Sequence, residues 1–253
     1  MYALGYALAI IIGLTLGLFG GGGSILTVPV FVYVMQFDPK LAIAMSLPVV
    51  GITSLVGAGR HWQAGNVRLP QALFFGVFAM SGAFFAARLS DRLEGRVQLF
   101  LLGVVMLAAA VLMLRDSLRE RSATSAVRSV TATRVTLAVV GLGVGALTGT
   151  IGVGGGFLIV PSLVLFARIP IHQAVGTSLL IIAMNSAAGF AGQRQVGAMP
   201  IPTVIAFTLC AVVGILAGSR AAAHVGALAL KRGFAVFLVV IATSLLWQNW
   251  PAS

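Results

Sequence analysis

The sequence has very little charge. Only 8% of its 253 residues are Asp, Glu, Lys or Arg, whereas 59% are hydrophobic. A soluble domain carries about 25% charged residues, so a soluble chain of this composition could not cover its surface. The composition therefore predicts an all-α polytopic membrane protein, because apolar runs of helical length cross a bilayer as helices.

Acidic residues are scarcer still, with 5 against 16 basic residues and a net charge of +11. In a soluble protein this excess would suggest nucleic acid. Here the basic residues lie between apolar runs, where cytoplasmic loops and anionic headgroups explain them, so no nucleic-acid partner is predicted. Every acid stands near a segment end, which leaves no carboxylate for a proton relay at the membrane midplane: Asp38, Asp91, Glu94, Asp116 and Glu120.

Residues that build metal centres and enzyme active sites are also sparse. The one cysteine, Cys210, excludes an internal disulfide and is interpreted as a packing residue. The chain has no HExxH motif, no paired acids and no Cys/His cluster, so no metal, no cofactor and no enzymatic activity are predicted. The three histidines, His61, His172 and His224, are dispersed at segment ends. An interfacial polar role is favoured for them over a metal or proton role.

Glycine is abundant, with 31 residues, and it forms two clusters. The first, 20–24, runs into Pro29, and the second, 152–156, runs into Pro161, which follows Pro29 by 132 residues. The same offset relates many other identical residues without a gap, among them Gly13/Gly145, Ser46/Ser178, Ser54/Ser186, Gly82/Gly214 and Arg88/Arg220. This pattern predicts a first transmembrane repeat at 1–114, a basic cytoplasmic linker at 115–134 and a second transmembrane repeat at 135–253.

Each repeat contains five apolar runs, which predicts about 8–10 membrane segments. The runs are 3–19, 25–37, 41–59, 69–87 and 97–114, then 135–151, 157–167, 174–191, 201–218 and 233–250. The first run has a counterpart in the second half, so it is interpreted as a retained segment rather than a signal peptide. The run after each cluster is too short to cross, since 13 helical residues rise only about 20 Å, and broken or re-entrant helices are expected there. The number of true crossings, and whether the repeats are inverted or parallel, stay open.

The glycine clusters are the first candidate substrate site. A helix that begins at a glycine break presents amide N–H groups that favour an anion. A nucleotide loop does not fit, because membrane runs flank both clusters. Close helix packing is the alternative, but it needs spaced glycines rather than consecutive ones. The candidate binding residues are Gly21, Gly22, Gly23, Ser24, Gly154, Gly155 and Gly156.

Neutral polar residues inside the spans extend this candidate site. They are Ser46, Ser178, Asn185 and Ser186, which occupy one face of their helices and offer donors to an oxyanion. The alternative is that the hydroxyls bond back to their own helix or join neighbouring helices. Arg60, Gln63, Gln193, Arg194 and Gln195 follow these helices, either at the mouth of an anion path or as charge and polarity at the headgroups. The headgroup role is favoured for Arg60 and Arg194.

The paired motifs carry a family resemblance. The segment 17–24, with Val28-Pro29 and 42–47, resembles the TauE/SafE sulfite exporter family, and so does 149–156 with Val160-Pro161 and 174–179. The resemblance covers nearly the whole chain. It implies a bacterial multi-pass permease of the cell inner membrane for sulfite, sulfonates or related organosulfur anions. Val153 stands where the first copy has Gly21, so the two clusters need not share one geometry.

Together these observations predict a permease for a small sulfur-containing oxyanion. The hypothesis is alternating access, with the substrate between the two glycine breaks. The expected partners are the anion and membrane lipids, with a coupling proton or sodium ion and a homodimer left open. An anion channel is the main alternative, and a non-transporting membrane assembly protein is the less favoured one.

Overall fold

A computed structural model describes residues 2–90, 95–119, 130–151, 156–191 and 199–248. Within these ranges every regular element is helical, so the all-α prediction is confirmed. A π-helical turn (Val30–Val34) extends α2. The helices are α1 (Tyr2–Phe19), α2 (Gly22–Pro29), α3 (Pro39–Gln63), α4 (Leu69–Ser90), α5 (Gly95–Arg119), α6 (Val130–Ile151), α7 (Gly156–Leu165), α8 (Ile171–Ala191), α9 (Ile201–His224) and α10 (Ala227–Gln248).

Five helices in the described part of the chain are long and apolar enough to cross a membrane. They are α1, α3, α8, α9 and the segment Ala227–Ser244 of α10. Two helices that follow the breaks are shorter, Gly22–Val34 and Gly156–Leu165, as the short apolar runs predict. The protein is therefore a multi-pass membrane protein that combines long spans with short helices.

The first two helices form a re-entrant hairpin. Gly5, near the start of α1, lies against the side chain of Met35, and Gly23 lies against the backbone of Ile12. The chain therefore turns at the glycine break and returns to the end of the bundle where α1 begins. Asp38 then accepts hydrogen bonds from the N–H groups of Lys40 and Leu41 and starts α3 at that same end.

The two halves run in opposite directions through the bundle. Helices α3 and α8 are antiparallel, because Gly51 lies against Ser186 whereas Gly176, ten residues before Ser186, lies against His61. We call the "linker end" the end where α3, α5 and α9 finish and where α8 and α10 begin. Asp116 of α5 pairs there with Lys231 of α10. The repeats, whose relative orientation the sequence left open, are inverted.

Equivalent positions of the two halves make equivalent contacts. Gly13 of α1 packs on Ala211 of α9, and Gly145 of α6 packs on Ala79 of α4, so both members of the pair shift by 132. The two short helices end alike, with N–H···O bonds of 3.0 Å from Phe37 to Phe31 and 3.1 Å from Ile169 to Leu163. The positive φ angles of Gln36 (61°) and Arg168 (54°) also fall 132 residues apart.

The predicted linker is partly helical. Helix α5 ends at Arg119 and α6 begins at Val130, so the helices extend into the segment 115–134 from both sides. Residues 120–129 lie outside the described residues. Within α5, Asp116 pairs with Lys231 and also lies 3.6 Å from Arg168, which ties three parts of the linker end together.

Candidate functional site

The first glycine break is a two-residue interruption between α1 and α2. Gly20 ends α1, with its N–H bonded to the carbonyl of Leu16 at 2.7 Å. Its φ of +72° lies in the left-handed region, where a side chain is strained. Gly21 is extended, with φ of −177°, and α2 begins at Gly22. The cluster thus lets the chain reverse direction inside the bundle.

The two breaks meet at Gly21 and Gly156. The Cα of Gly21 faces the carbonyl of Gly156, and a Cβ added there would lie 3.0 Å from the N atom of Phe157. Gly156 begins α7 and faces the hydroxyl of Ser24. The candidates Gly154 and Gly155 lie outside the described residues, as does 192–198 with Gln193, Arg194 and Gln195. The described edge of the second break therefore abuts the first.

Ser178 joins α8 to the first break. Its Oγ lies 2.6 Å from the carbonyl oxygen of Gly20 and 2.8 Å from that of Val175. The side chain is fully buried. One hydroxyl proton is shared between the two acceptors, so Ser178 binds the break and its own helix at once.

Two other predicted donors bond to nearby backbone. Ser46 donates to the carbonyl of Ile43 at 2.7 Å, and Ser24 donates to that of Gly21 at 2.7 Å. These are the local bonds that the sequence raised as an alternative. In this conformation both hydroxyl protons are engaged by the protein.

Polar groups at the crossing of α3 and α8 are less well satisfied. The side chain of Ser186 is buried beside Gly51. The Oδ1 atom of Asn185 and the Oγ atom of Ser54 are buried, and neither has a hydrogen-bond partner among the described residues. A buried unsatisfied group costs about 1–3 kcal/mol. This crossing therefore holds hydrogen-bonding capacity that the protein does not use internally.

Protein atoms fill the space beside the first break. The ring of Phe237 occupies the position where Gly22 would carry a side chain, and the backbone of Ile12 does so at Gly23. The close packing that the sequence offered as an alternative thus describes these glycines in this conformation. An anion reaches the amides of α2 only if Phe237 or a neighbouring helix moves.

An unexpected polar cavity of about 170 Å³ lies at the linker end. The histidines predicted to be dispersed instead share its wall, because the inverted fold gathers the ends of α3 and α9 and the start of α8. The described residues hold no group of ligands suited to a metal. We name it the linker-end cavity, and its charged and polar lining includes Arg60, His61, His172, Ser219, Arg220 and His224.

A second cavity, about 270 Å³, lies between α1 and the helix that follows the break. Its lining is largely apolar and includes Leu8, Ile12, Pro29 and Val34. These side chains offer no donor to an anion. The cavity therefore does not compete with the breaks or with the linker-end cavity as an anion site.

Comparison with known proteins places the chain among membrane transporters. The family model described as "Sulfite exporter TauE/SafE" matches residues 5–245. A "Probable membrane transporter protein" of Xylella fastidiosa is 29% identical and covers 96% of this chain and 94% of its own length. The "Probable membrane transporter protein YdhB" of Bacillus subtilis is 28% identical over 86% and 85% of the two chains. No solved structure matches.

Proposed function

Because the chain belongs to the TauE/SafE sulfite exporter family and is a membrane transporter, we propose that it carries a small sulfur-containing oxyanion such as sulfite or a sulfonate. The family and the names of the relatives indicate a transporter rather than an enzyme. The substrate class follows the family description, and the chemistry of the breaks supports it.

The observation that carries the proposal is the meeting of the two breaks at Gly21 and Gly156. In transporters built from inverted repeats, substrate sites lie between discontinuous helices at the repeat interface. The N–H groups in the first turn of a helix have no acceptor within that helix. The start of α2 at Gly22 therefore offers amide donors and a positive dipole end at depth.

Ser178 supplies a switchable donor in this proposal. Its hydroxyl now donates to Gly20 and Val175, and it would donate to the anion when the break opens. Asn185 lies two helical turns further along α8 and would add its amide. Neutral groups of this kind hold an anion without a buried cation, which favours release after transport.

Alternating access would then move the break between two closures. In this conformation Phe237 and Gly156 close the first break. The hairpin of α1 and α2 enters from one end and α6 with α7 from the other, so rocking one half against the other would expose the centre to each side in turn.

Substitution of Gly22 tests the site in proteoliposomes loaded with labelled sulfite. We expect Gly22→Leu to abolish sulfite flux, because its side chain would occupy the space in front of the α2 amides. The matched control is Gly143→Leu in α6, where nothing lies within 4 Å of an added Cβ. It should retain wild-type flux, and both variants should reconstitute to equal levels.

Sulfonate and sulfate flux measured in parallel defines the substrate class. Wild-type flux should saturate with sulfite concentration and respond to an imposed proton or sodium gradient. Unchanged flux in Gly22→Leu would reject the site, and flux that neither saturates nor responds to a gradient would favour an anion channel.

A further inference from the structure

The linker-end cavity contains two buried polar atoms that the protein leaves without a partner. The side chains of His61 and Ser219 are only 4% and 7% exposed. The Nε2 atom of His61 and the Oγ atom of Ser219 make no hydrogen bond to any described residue. Most buried polar groups in native proteins are paired. Both side chains line the cavity, so a ligand seated there would find two hydrogen-bonding groups on its wall.

The charge at the cavity selects an anion. Arg60 and Arg220 line it, and no residue of its lining is acidic. A guanidinium stays charged and presents its N–H groups in a planar fork that matches oxyanions. Asp116, the described acid at this end, is already paired with Lys231 and Arg168. The positive charge near the cavity is therefore not neutralised by a carboxylate on its wall.

Cations at the ends of α3 and α9 have a second physical role, since they complement the negative ends of these helices. That role accounts for Arg60 and Arg220. It does not account for the two buried atoms without partners. It also does not require the cavity, whose other histidines are held in place by the backbone. The Nε2–H of His172 donates to the carbonyls of Ala222 (3.2 Å) and Val225 (3.1 Å).

The cavity lies close to the first break. His172 lines it, and six residues further along α8, a rise of about 9 Å, Ser178 donates to Gly20. Between them Gly176 packs on His61, and Gly17 of α1 packs on the N atom of Ser219. The cavity wall and the wall of the break are thus built from the same helices.

Size narrows the ligand. A single water needs about 10–15 Å³ of such volume, and drug-sized ligands occupy pockets of roughly 300–1,000 Å³. The cavity, at about 170 Å³, suits an anion of three or four oxygens with some of its water.

We propose that the linker-end cavity binds a small oxyanion through Arg60, Arg220, Ser219 and His61. The proposal rests on the transport function above, and it places a second binding site for the substrate anion beside the first break, at the end where the anion enters or leaves. A lipid phosphate presents the same chemistry, but the cavity is assigned to the free anion.

Calorimetric titration of sulfite into purified protein tests this assignment. The protein is held in nanodiscs of zwitterionic lipid at constant ionic strength. We expect the double variant Arg60→Gln/Arg220→Gln to weaken sulfite binding by about tenfold or more, since it removes both charge-assisted donors. The control is Arg232→Gln, an exposed residue of α10 outside the cavity lining with the same loss of charge. It should change the dissociation constant by less than about twofold.

Ser219→Ala gives an independent arm without a change of charge, and it should weaken binding about threefold to tenfold. Melting temperatures of all variants show whether they fold. Equal weakening by Arg232→Gln and by the double variant would overturn the proposal, because it would indicate a general charge effect. Wild-type affinity in the folded Ser219→Ala and double variants would overturn it as well.

Two further arms separate this proposal from its neighbours. Gly22→Leu should lose flux but keep cavity binding, so a failure of the transport site and a failure of the cavity give different results. If folded Gly22→Leu loses binding together with flux, the cavity is not a separate site. If wild-type protein binds sulfite only when phosphatidylglycerol is absent, with the same residues needed for the lipid, the cavity is a headgroup site and the assignment is wrong.

Discussion

At the scale of single residues, Ser178 has the most consequential contact in the molecule. Its hydroxyl reaches Gly20, 158 positions earlier in the chain, at 2.6 Å. The sequence identified Ser178 as a polar residue within a span, and it also raised bonding to its own helix. Its acceptor could not be predicted, because only the inverted packing of the halves brings α8 against the first break.

Replacing Ser178 by alanine should affect both stability and transport. Ser178→Ala leaves the buried carbonyl of Gly20 without its donor, which we expect to cost about 1–3 kcal/mol. If the hydroxyl also binds the anion, the KM for sulfite should rise about tenfold. Ser81→Ala is the control, because the exposed Ser81 bonds only to Val77 of its own helix.

Thermal unfolding and proteoliposome flux separate the two roles of Ser178. A lower melting temperature with an unchanged KM would restrict this residue to closing the break. A change of KM in Ser81→Ala of similar size would show that the assay does not isolate the site.

The histidines show a different limit at the same scale. Each was correctly placed at the end of an apolar segment, but His61, His172 and His224 line one cavity. Apolar runs reveal where a span ends. They do not reveal which ends share a side of the bundle when the number of crossings is open.

At the scale of elements, the sequence predicted ten segments, and the structure has a helix at each. The ends differ where polar residues continue a helix. The run predicted at 201–218 stops at Gly218, yet α9 continues to His224. Likewise α3 continues through Arg60 and His61 to Gln63. Backbone hydrogen bonding does not stop where hydropathy falls, and these extra turns carry the cavity residues.

The packing of α1 on α9 depends on spaced glycines, as the sequence raised as an alternative. A Cβ on Gly13 would lie 2.8 Å from the carbonyl carbon of Ala211 and 2.9 Å from the N atom of Ile215. Both are backbone atoms, so a helix must shift to admit a methyl group. The contact between these helices therefore tolerates no side chain at Gly13.

Alanine at two glycines of the equivalent helices α1 and α6 should thus have opposite effects. We expect Gly13→Ala to destabilise the protein by about 1–3 kcal/mol through overpacking. Gly143→Ala adds a methyl group in open space, and it should be neutral or stabilise by up to about 1 kcal/mol. Melting temperatures in one detergent measure both, and equal changes would contradict the packing argument.

At the scale of the whole molecule, the decisive property is the inverted arrangement of two equivalent halves. The offset of 132 residues was visible in the sequence, but its direction was not, because an odd or even number of crossings gives opposite answers. The structure resolves this through contacts between helices, such as Gly51 with Ser186 and Gly176 with His61. The halves meet at their breaks, which is why one conformational change can act on both.

Opposite membrane sides for Gln36 and Arg168 are the direct consequence of this inversion. The two residues are exposed and occupy equivalent turns with φ of 61° and 54°. With Cys210→Ser as background, Gln36→Cys and Arg168→Cys each give a protein with one thiol. In intact cells a membrane-impermeant maleimide should label the first, and it should label the second only after permeabilisation, because basic segments favour the cytoplasm and Arg168 lies at the linker end. Labelling of both from one side would reject the inverted arrangement, whereas labelling of Arg168→Cys alone would keep it and reverse the cytoplasmic placement of the linker.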